Sequence, residues 1–133
     1  MINQPQDNGG RIFRQAWIDG VTAHFPGAPK PGYIAPWQEM PEWEQHAAAT
    51  VFTKARALIV AGLQAEPPVQ LTAEQGGRYI AEAWIVQVYR HISQPKPGYV
   101  ADWDELPEWQ RETDKDIFKQ IETVVLQEQH TAV

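Results

Sequence analysis

The chain has 133 residues, 43% of them hydrophobic and 21% charged, which is enough to bury the core of one ordinary domain. Its net charge of −6 and the lack of a Lys/Arg run argue against general nucleic-acid binding, and the absence of cysteine excludes disulfides and thiolate chemistry. No apolar run approaches the ~20 residues of a membrane helix and the N-terminus has no signal-peptide pattern, so we expect a cytoplasmic protein that does not enter a membrane.

The first half of the chain predicts two helices separated by a loop. Residues 1–8 are expected to be frayed, and the first helix is predicted from about Gly10 to Phe25. The loop Pro29-Lys30-Pro31-Gly32 cannot continue a helix, and a short turn carrying Trp37 follows it. A second helix is predicted to start at Pro41, because proline suits the first helical position. Its apolar stripe comprises Val51, Phe52, Ala55, Leu58 and Ile59.

The second half repeats this order after a linker at Glu66–Gln70. A helix is predicted over Thr72–Ile92, with Thr72 and Gln75 as a capping box. The loop Pro95-Lys96-Pro97-Gly98 and a turn at Trp103 lead to a helix starting at Pro107. The apolar stripe of that helix comprises Ile117, Phe118, Ile121, Val124 and Val125. The last four or so residues are expected to be frayed.

The two halves share about twenty identical positions over roughly fifty aligned ones, with one single-residue gap near the loop. The matches run through both helices and the loop, and include Gly9-Gly10-Arg11 with Gly76-Gly77-Arg78, Trp17 with Trp84, Tyr33 with Tyr99, Trp37 with Trp103, and Trp43 with Trp109. We therefore predict an all-α fold built by tandem duplication of a two-helix unit, with copies at 9–64 and 72–129. The copies are expected to pack as one compact domain with a pseudo-two-fold relation, because about 60 residues bury too little surface to be stable alone.

The duplicated glycine pairs have two interpretations at this stage. They allow either a close approach of another chain segment at a helix start or tight packing between the two copies. Because Gly76-Gly77 falls inside the predicted Thr72–Ile92 helix, that helix is expected either to break there or to begin later.

A resemblance to a known family rests on a mid-helix tryptophan, a Pro/Gly loop and the pattern W-x-E-[ML]-P-E. The second copy carries it as Ala81-Glu82-Ala83-Trp84 and Val100-Ala101-Asp102-Trp103-Asp104-Glu105-Leu106-Pro107-Glu108, and the first as Pro36-Trp37-Gln38-Glu39-Met40-Pro41-Glu42. The pattern resembles the RyR repeat, the small helical module named from ryanodine receptors. The resemblance implies a non-enzymatic module of the bacterial or phage type, whose members look like parts of nucleotide-signalling or defence systems.

Catalytic and metal-binding motifs are not found in the sequence. The four histidines make no metal-ligand spacing, and His24 and His91 suit the negative end of a helix. Carboxylates cluster at predicted helix starts, where the helix dipole explains them. We expect no enzyme activity, no cofactor and no metal.

Candidate ligand-binding residues come from the loops and the first-helix starts. A lysine, an aromatic ring and a helix N-terminus together suit a phosphorylated, stacked ligand. The alternatives are that the loop aromatics anchor the loop and that the lysines are merely solvated. The candidates are Lys30, Tyr33, Trp37, Lys96, Tyr99, Trp103, Arg11 and Arg78, while Trp17, Trp84, Phe52 and Phe118 are predicted to be structural core.

Two functions follow as hypotheses. The first is a module that senses or sequesters a nucleotide-type anionic small molecule, and it requires a concave, basic, aromatic pocket between the loops. The second is a protein–protein interaction or structural adaptor module, and it requires a flat apolar patch and a defined oligomer.

Overall fold

The described part of the chain contains four α-helices. The computed structural model describes the backbone of residues 5–131 and the side chains of residues 8–130. Its helices are α1 (Pro5–His24), α2 (Glu42–Gln64), α3 (Ala73–His91) and α4 (Glu108–Thr131), and residues 5–131 contain no strand. The predicted all-helical class is confirmed. None of the helices in this range is long and apolar enough to cross a membrane.

Both ends of α1 differ from the prediction. The helix begins at Pro5 rather than Gly10, since proline is well accommodated in a first helical turn. Residues 5–8 are therefore helical and not frayed, and α4 likewise continues to Thr131. The expectation of frayed ends for residues 1–4 and 132–133 lies outside the described residues. Helix α1 ends at His24 because Phe25 precedes a proline, which disfavours helical backbone at that position.

The start of α3 is set by the predicted capping box. Thr72 Oγ1 accepts a hydrogen bond from the Gln75 backbone N–H at 3.1 Å, and Gln75 Oε1 accepts one from the Thr72 N–H at 2.9 Å. Two otherwise unpaired donors of the first turn are thereby satisfied. The helix continues through Gly76-Gly77 without a break, so the expectation of a break or a later start was wrong.

Helices α2 and α4 each begin one residue after a proline. Pro41 is the N-cap of α2, and its carbonyl accepts from the Gln45 N–H at 3.1 Å. The Pro107 carbonyl accepts from the Arg111 N–H at the same distance. Each proline thus precedes and caps its helix. The prediction that each proline is the first helical residue was wrong by one position.

The two Pro/Gly loops have the same local structure. In each, the lysine carbonyl accepts a hydrogen bond at 2.9 Å from the tyrosine N–H three residues later, which closes a 3₁₀ turn. A second 3₁₀ turn starts at the loop tryptophan. The four turns are Pro31–Tyr33, Trp37–Glu39, Pro97–Val100 and Trp103–Glu105.

The glycine pairs bring a ring of the following helix against the backbone of the preceding one. A Cβ placed at Gly9 would lie 2.9 Å from Cε1 of Phe52 and nearer still to two other ring atoms. At Gly76 it would lie 2.7 Å from Cε2 of Phe118, again with two closer ring atoms. The close-approach interpretation therefore describes these glycines, and the approach is made by a ring from the same half of the chain.

The second glycine of each pair lies against the loop tryptophan. A Cβ at Gly10 would meet the Trp37 indole, and one at Gly77 would lie 2.9 Å from Trp103 Cη2. Trp103 is almost fully buried and Trp37 partly so. Both loop tryptophans therefore anchor their loops on a helix backbone.

One hydrophobic core joins all four helices. Its buried members share the apolar stripes of the helices, and include Phe13, Val51, Phe52, Ile80, Ile117, Phe118, Ile121 and Val125. Helix α1 packs on α2 and on α4, while α3 packs mainly on α4. The two halves of the chain thus bury their apolar surfaces against each other.

The contacts between the two halves are unequal. A Cβ at Gly20 of α1 would lie 2.7 Å from Thr113 Cγ2, so the backbones of α1 and α4 approach closely there. The corresponding residue of α3 is Gln87, whose side chain is buried. Helix α3 packs less extensively on α2 than α1 does on α4. The close α1–α4 approach thus falls at a glycine, and the corresponding position of α3 carries a longer side chain.

Candidate functional site

A cleft of about 640 Å³ lies between the two halves, and all four helices and both loops line it. Its walls are rich in aromatic rings, with four tryptophans, one from each helix, and the loop tyrosines Tyr33 and Tyr99. We call this the tryptophan cleft and define it by Trp17, Trp43, Trp84 and Trp109. Its volume is within the range of small-molecule sites, about 300–1,000 Å³.

The tryptophans form two corresponding pairs across the halves. The ring centroids of Trp17 and Trp109 are 6.0 Å apart, and those of Trp43 and Trp84 are 6.3 Å apart. The Trp84 ring also stacks on Phe13, at 5.6 Å and an interplanar angle of 13°. Such ring packing holds the walls in place and leaves ring faces and edges along the cleft.

The indole N–H groups of these tryptophans differ in their use. Trp17 Nε1 donates to the Tyr33 carbonyl at 2.8 Å, which ties the first loop to α1. Within residues 8–130, no acceptor is found for the indole N–H of Trp43, Trp84 or Trp109. These three donors remain available to a bound molecule or to water.

Arg14 is the buried cation of the cleft, with only 7% of its surface exposed. Its guanidinium donates to the Ala35 carbonyl from Nε at 3.0 Å and from Nη2 at 2.8 Å, and to the Gly32 carbonyl at 3.0 Å. It therefore fixes the shape of the first loop. Burial lowers its pKa, and the negative charge of Glu44 opposes that shift.

Glu44 is the half-buried carboxylate that balances Arg14. Burial raises the pKa of Glu44, and the Arg14 charge acts in the opposite direction. The two groups lie on α1 and α2, on the same side of the cleft, and each partly offsets the other. The second half has Ala81 and Gln110 at the corresponding positions, so it has no such charge pair.

Asp114 is the other carboxyl group that lines the cleft. It is 5% exposed, and burial raises its pKa well above the ordinary range for aspartate. Among the described residues, no side chain or backbone N–H donates to its carboxyl. Buried carboxyl groups are normally paired, so this unpaired carboxyl in the lining of the cleft is a candidate contact for a hydrogen-bond donor of a bound molecule.

The predicted site residues divide between the cleft and other places. Tyr33 and Tyr99 line the cleft, and Tyr99 is more than half exposed. Trp37 and Trp103 do not line it, because they pack on Gly10 and Gly77. The aromatic part of the predicted site is thus only partly brought together.

The predicted cations all lie outside the lining of the cleft. Arg11 lies over the Trp37 ring at 5.6 Å, and Lys30 lies over the Tyr33 ring at 5.9 Å. Arg78 is 3.7 Å from Asp104, and Lys96 is exposed. Of these cations, Lys30 is the one that contacts a lining residue of the cleft, the Tyr33 ring.

The predicted core residues have different environments. Phe52 and Phe118 are buried against the glycine pairs, in the shared core. Trp17 and Trp84 are partly buried, pack against that core and also line the cleft. These two tryptophans therefore belong to the core and to the candidate site.

Three of the four histidines, His24, His46 and His91, contact other side chains. His24 pairs with Asp116 at 2.8 Å, and the rings of His46 and His91 are 5.4 Å apart. Within the part of the chain that the structure describes, no group of three or more His, Asp or Glu side chains could hold a metal ion.

Sequence reasoning missed Arg14 and Asp114, the two most buried charged groups of the cleft. A signal was present, because each stands on the apolar stripe of its helix. Arg14 precedes Trp17 by three residues and Val21 by seven, and Asp114 precedes Ile117 by three. A charged residue at a stripe position indicates a buried charge that needs a partner.

The fold and the cleft define a class: a four-helix protein with an aromatic cleft between its halves. Comparison with known proteins found no matching family model, no matching curated protein and no similar solved structure. The residues of the cleft itself therefore carry the functional conclusions below.

Proposed function

We propose that this protein is a non-enzymatic module that binds a small molecule with a planar or apolar body in the tryptophan cleft. The observation that carries the proposal is the convergence of Trp17, Trp43, Trp84 and Trp109 on one cavity of about 640 Å³. A cavity lined by aromatic rings and a few polar groups is the usual form of a ligand site. The described lining contains no Ser, Thr, Cys or His, and in this proposal its two carboxyl groups, on Glu44 and Asp114, bind rather than react.

The proposal includes the origin of the fold as two RyR-like repeats, at 9–64 and 72–129. Its support is the correspondence of contacts: Gly9 with Phe52 and Gly76 with Phe118, each a glycine against a ring of the next helix. The cleft would then be the space enclosed when the two copies pack together. One site formed by two copies is a common outcome of such packing.

A nucleotide-type anionic ligand is one candidate occupant. Its base would stack in the cleft, and its phosphate would reach Lys30, which lies over the lining residue Tyr33. The lining itself is not basic, since Arg14 donates to loop carbonyls and the lining also contains the carboxyl groups of Glu44 and Asp114. The nucleotide is therefore tested as one member of a panel.

A second candidate function, protein–protein interaction, has its own supporting feature. An apolar groove of about 400 Å³ lies between α2, the linker and α4, and the exposed side chains Leu63, Val69 and Leu126 line it. Exposed apolar surface of this kind marks interaction sites. A defined oligomer in solution, lost on changing Leu63 and Leu126 to Ser, would favour this function.

The test of the main proposal is thermal unfolding followed by tryptophan fluorescence, with a panel of AMP, a cyclic dinucleotide, ADP-ribose and small aromatic compounds. A ligand that binds only the folded state stabilises it by about 3 kcal/mol at a hundredfold excess over its Kd. Gly98→Phe is expected to be accommodated, because a Cβ there meets no atom within 4 Å. It is expected to abolish the shift in unfolding midpoint, because Gly98 lines the cleft and the added ring would compete with a ligand.

Ser93→Phe is the matched control, because this loop residue is exposed and does not line the cleft. It is expected to leave the shift intact. If no member of the panel raises the unfolding midpoint, the small-molecule proposal fails and the oligomer measurement becomes the deciding one.

A further inference from the structure

The buried carboxyl of Asp114 faces a cleft that provides it with no partner. It lines the tryptophan cleft, is 95% shielded from solvent, and receives no hydrogen bond from the described residues. Its counterpart in the first half is Ala48, so the packing of the helices does not require a carboxyl at this position. Its carboxyl oxygens are not among the fully enclosed unpaired atoms of the described residues, so a donor that enters the cleft can reach them.

The other charges of the cleft do not supply that partner. Arg14 spends its Nε and Nη2 donors on the Gly32 and Ala35 carbonyls, and its charge is balanced by Glu44. Burial raises the pKa of Asp114, and no nearby cation offsets that shift. Arg14 and Glu44 therefore offset each other, whereas Asp114 has no oppositely charged partner among the described residues.

The rest of the lining also suits a positive charge. The faces of tryptophan rings attract cations, and they do so more strongly when water is excluded. Trp43, Trp84 and Trp109 contribute ring surface within the same cleft as Asp114. A carboxyl group and indole rings that line one cleft are a suitable combination for holding an organic cation.

We propose that the tryptophan cleft takes an organic cation, whose ammonium, amidinium or guanidinium N–H groups pair with Asp114 while its body lies against the indole rings. This inference rests on the proposed small-molecule function and adds the charge of the ligand to it.

The test uses three probes of nearly equal shape and different charge: benzamidine (cationic), benzamide (neutral) and benzoate (anionic). Binding to the full chain is followed by tryptophan fluorescence, up to about 10 mM because probes this small bind weakly. The expected order is benzamidine tightest, by about tenfold or more over benzamide, with benzoate weakest. The Gly98→Phe variant is expected to bind none of them, which places the binding in the cleft.

Asp114→Asn locates the source of the preference. It is expected to weaken benzamidine binding by about tenfold or more while changing benzamide binding by less than about twofold. Asp102→Asn, an exposed aspartate of the same half that does not line the cleft, is the matched control and is expected to bind as the unmodified protein does. The probe order on the unmodified protein decides independently of whether the Asn variant folds.

The outcomes separate the two proposals. Benzoate or AMP binding in the cleft as tightly as benzamidine, or an Asp114→Asn variant that keeps the preference, would overturn the assignment of a cation and leave the small-molecule function standing. Failure of every probe, whatever its charge, together with no shift in the nucleotide panel, would overturn both.

Discussion

Replacing Gly76 by alanine is expected to destabilise the protein, although alanine is the better helix former. At an open helical position this change contributes about 1 kcal/mol of stability, since alanine loses less backbone entropy. A Cβ at position 76, however, would lie 2.7 Å from Cε2 of Phe118 and closer to two other ring atoms. Ordinary carbon contacts are about 3.5–4 Å, so the ring would have to move by about 1 Å within the core.

The size of the effect follows from these two opposing contributions. Overpacking a core costs about 1–3 kcal/mol, and overlap with three ring atoms places Gly76→Ala in the upper half of that range. Subtracting the gain in helix propensity leaves a net loss of about 1–2 kcal/mol. For a chain of this length, that corresponds to a fall in Tm of roughly 4–10 °C. Gly9→Ala, against Phe52, is expected to behave in the same way.

Thermal and urea unfolding, followed by circular dichroism, measure the change. Gly98→Ala is the matched control, because a Cβ there meets no atom within 4 Å, and its stability is expected to change by less than about 0.5 kcal/mol. Adding Phe118→Leu to Gly76→Ala should cost less than the sum of the two single changes, because the smaller side chain relieves the overlap. A higher Tm for Gly76→Ala would refute the close packing of α3 on this ring.

Three further changes test other parts of the structure. Asp114→Asn is expected to raise the free energy of unfolding at neutral pH. Burial raises the pKa of Asp114 in the folded state, so the folded state holds the proton more tightly than the unfolded state does. The stability of the unmodified protein therefore falls as the pH rises from the ordinary carboxyl range through that raised pKa. The advantage of the Asn variant in urea unfolding should therefore grow with pH across that window, and a constant difference would contradict it. Arg14→Met should cost about 1–3 kcal/mol and speed amide exchange in residues 32–35, because the Gly32 and Ala35 carbonyls lose their donor. Unchanged exchange in these residues would argue against that role. Thr72→Ala removes the cap of α3 and should cost about 1 kcal/mol, whereas Thr53→Ala, on the exposed face of α2, should cost far less.

Local signals in the sequence were sufficient to predict most of the helical framework. Thr72 and Gln75 predicted the start of α3, because a capping box depends on residues three apart and needs no distant contact. Pro41 and Pro107 located the starts of α2 and α4 to within one residue for the same reason. The extension of α1 back to Pro5 was missed, since the polar residues 6–8 give no apolar periodicity to read.

The cleft could not be read in the same way, because it is formed by packing between the halves. Lys30 and Tyr33 are neighbours in sequence, yet Tyr33 lines the cleft and Lys30 does not. Trp37 was a candidate for the site because it lies on a loop, but its ring is used against Gly10. Proximity along a loop does not determine which side chain faces the partner helix, and that depends on the packing of residues far apart in the chain.

The distribution of differences between the two halves bears on the number of sites. Positions that hold the framework are alike in both halves, as in the glycines that meet Phe52 and Phe118. The charged groups of the cleft stand where the halves differ: Arg14, Glu44 and Asp114 correspond to uncharged residues in the other half.

A symmetric pair of sites would need each charged group twice, whereas this cleft contains each of them once and lies between the halves. The framework therefore supports a single asymmetric site, and we expect one ligand per chain. Calorimetric titration with any ligand found in the panel measures this stoichiometry directly. Two equivalent sites per chain would contradict it and would move attention from the cleft to the two similar loops, where Lys30 and Lys96 each precede a Pro-Gly-Tyr turn.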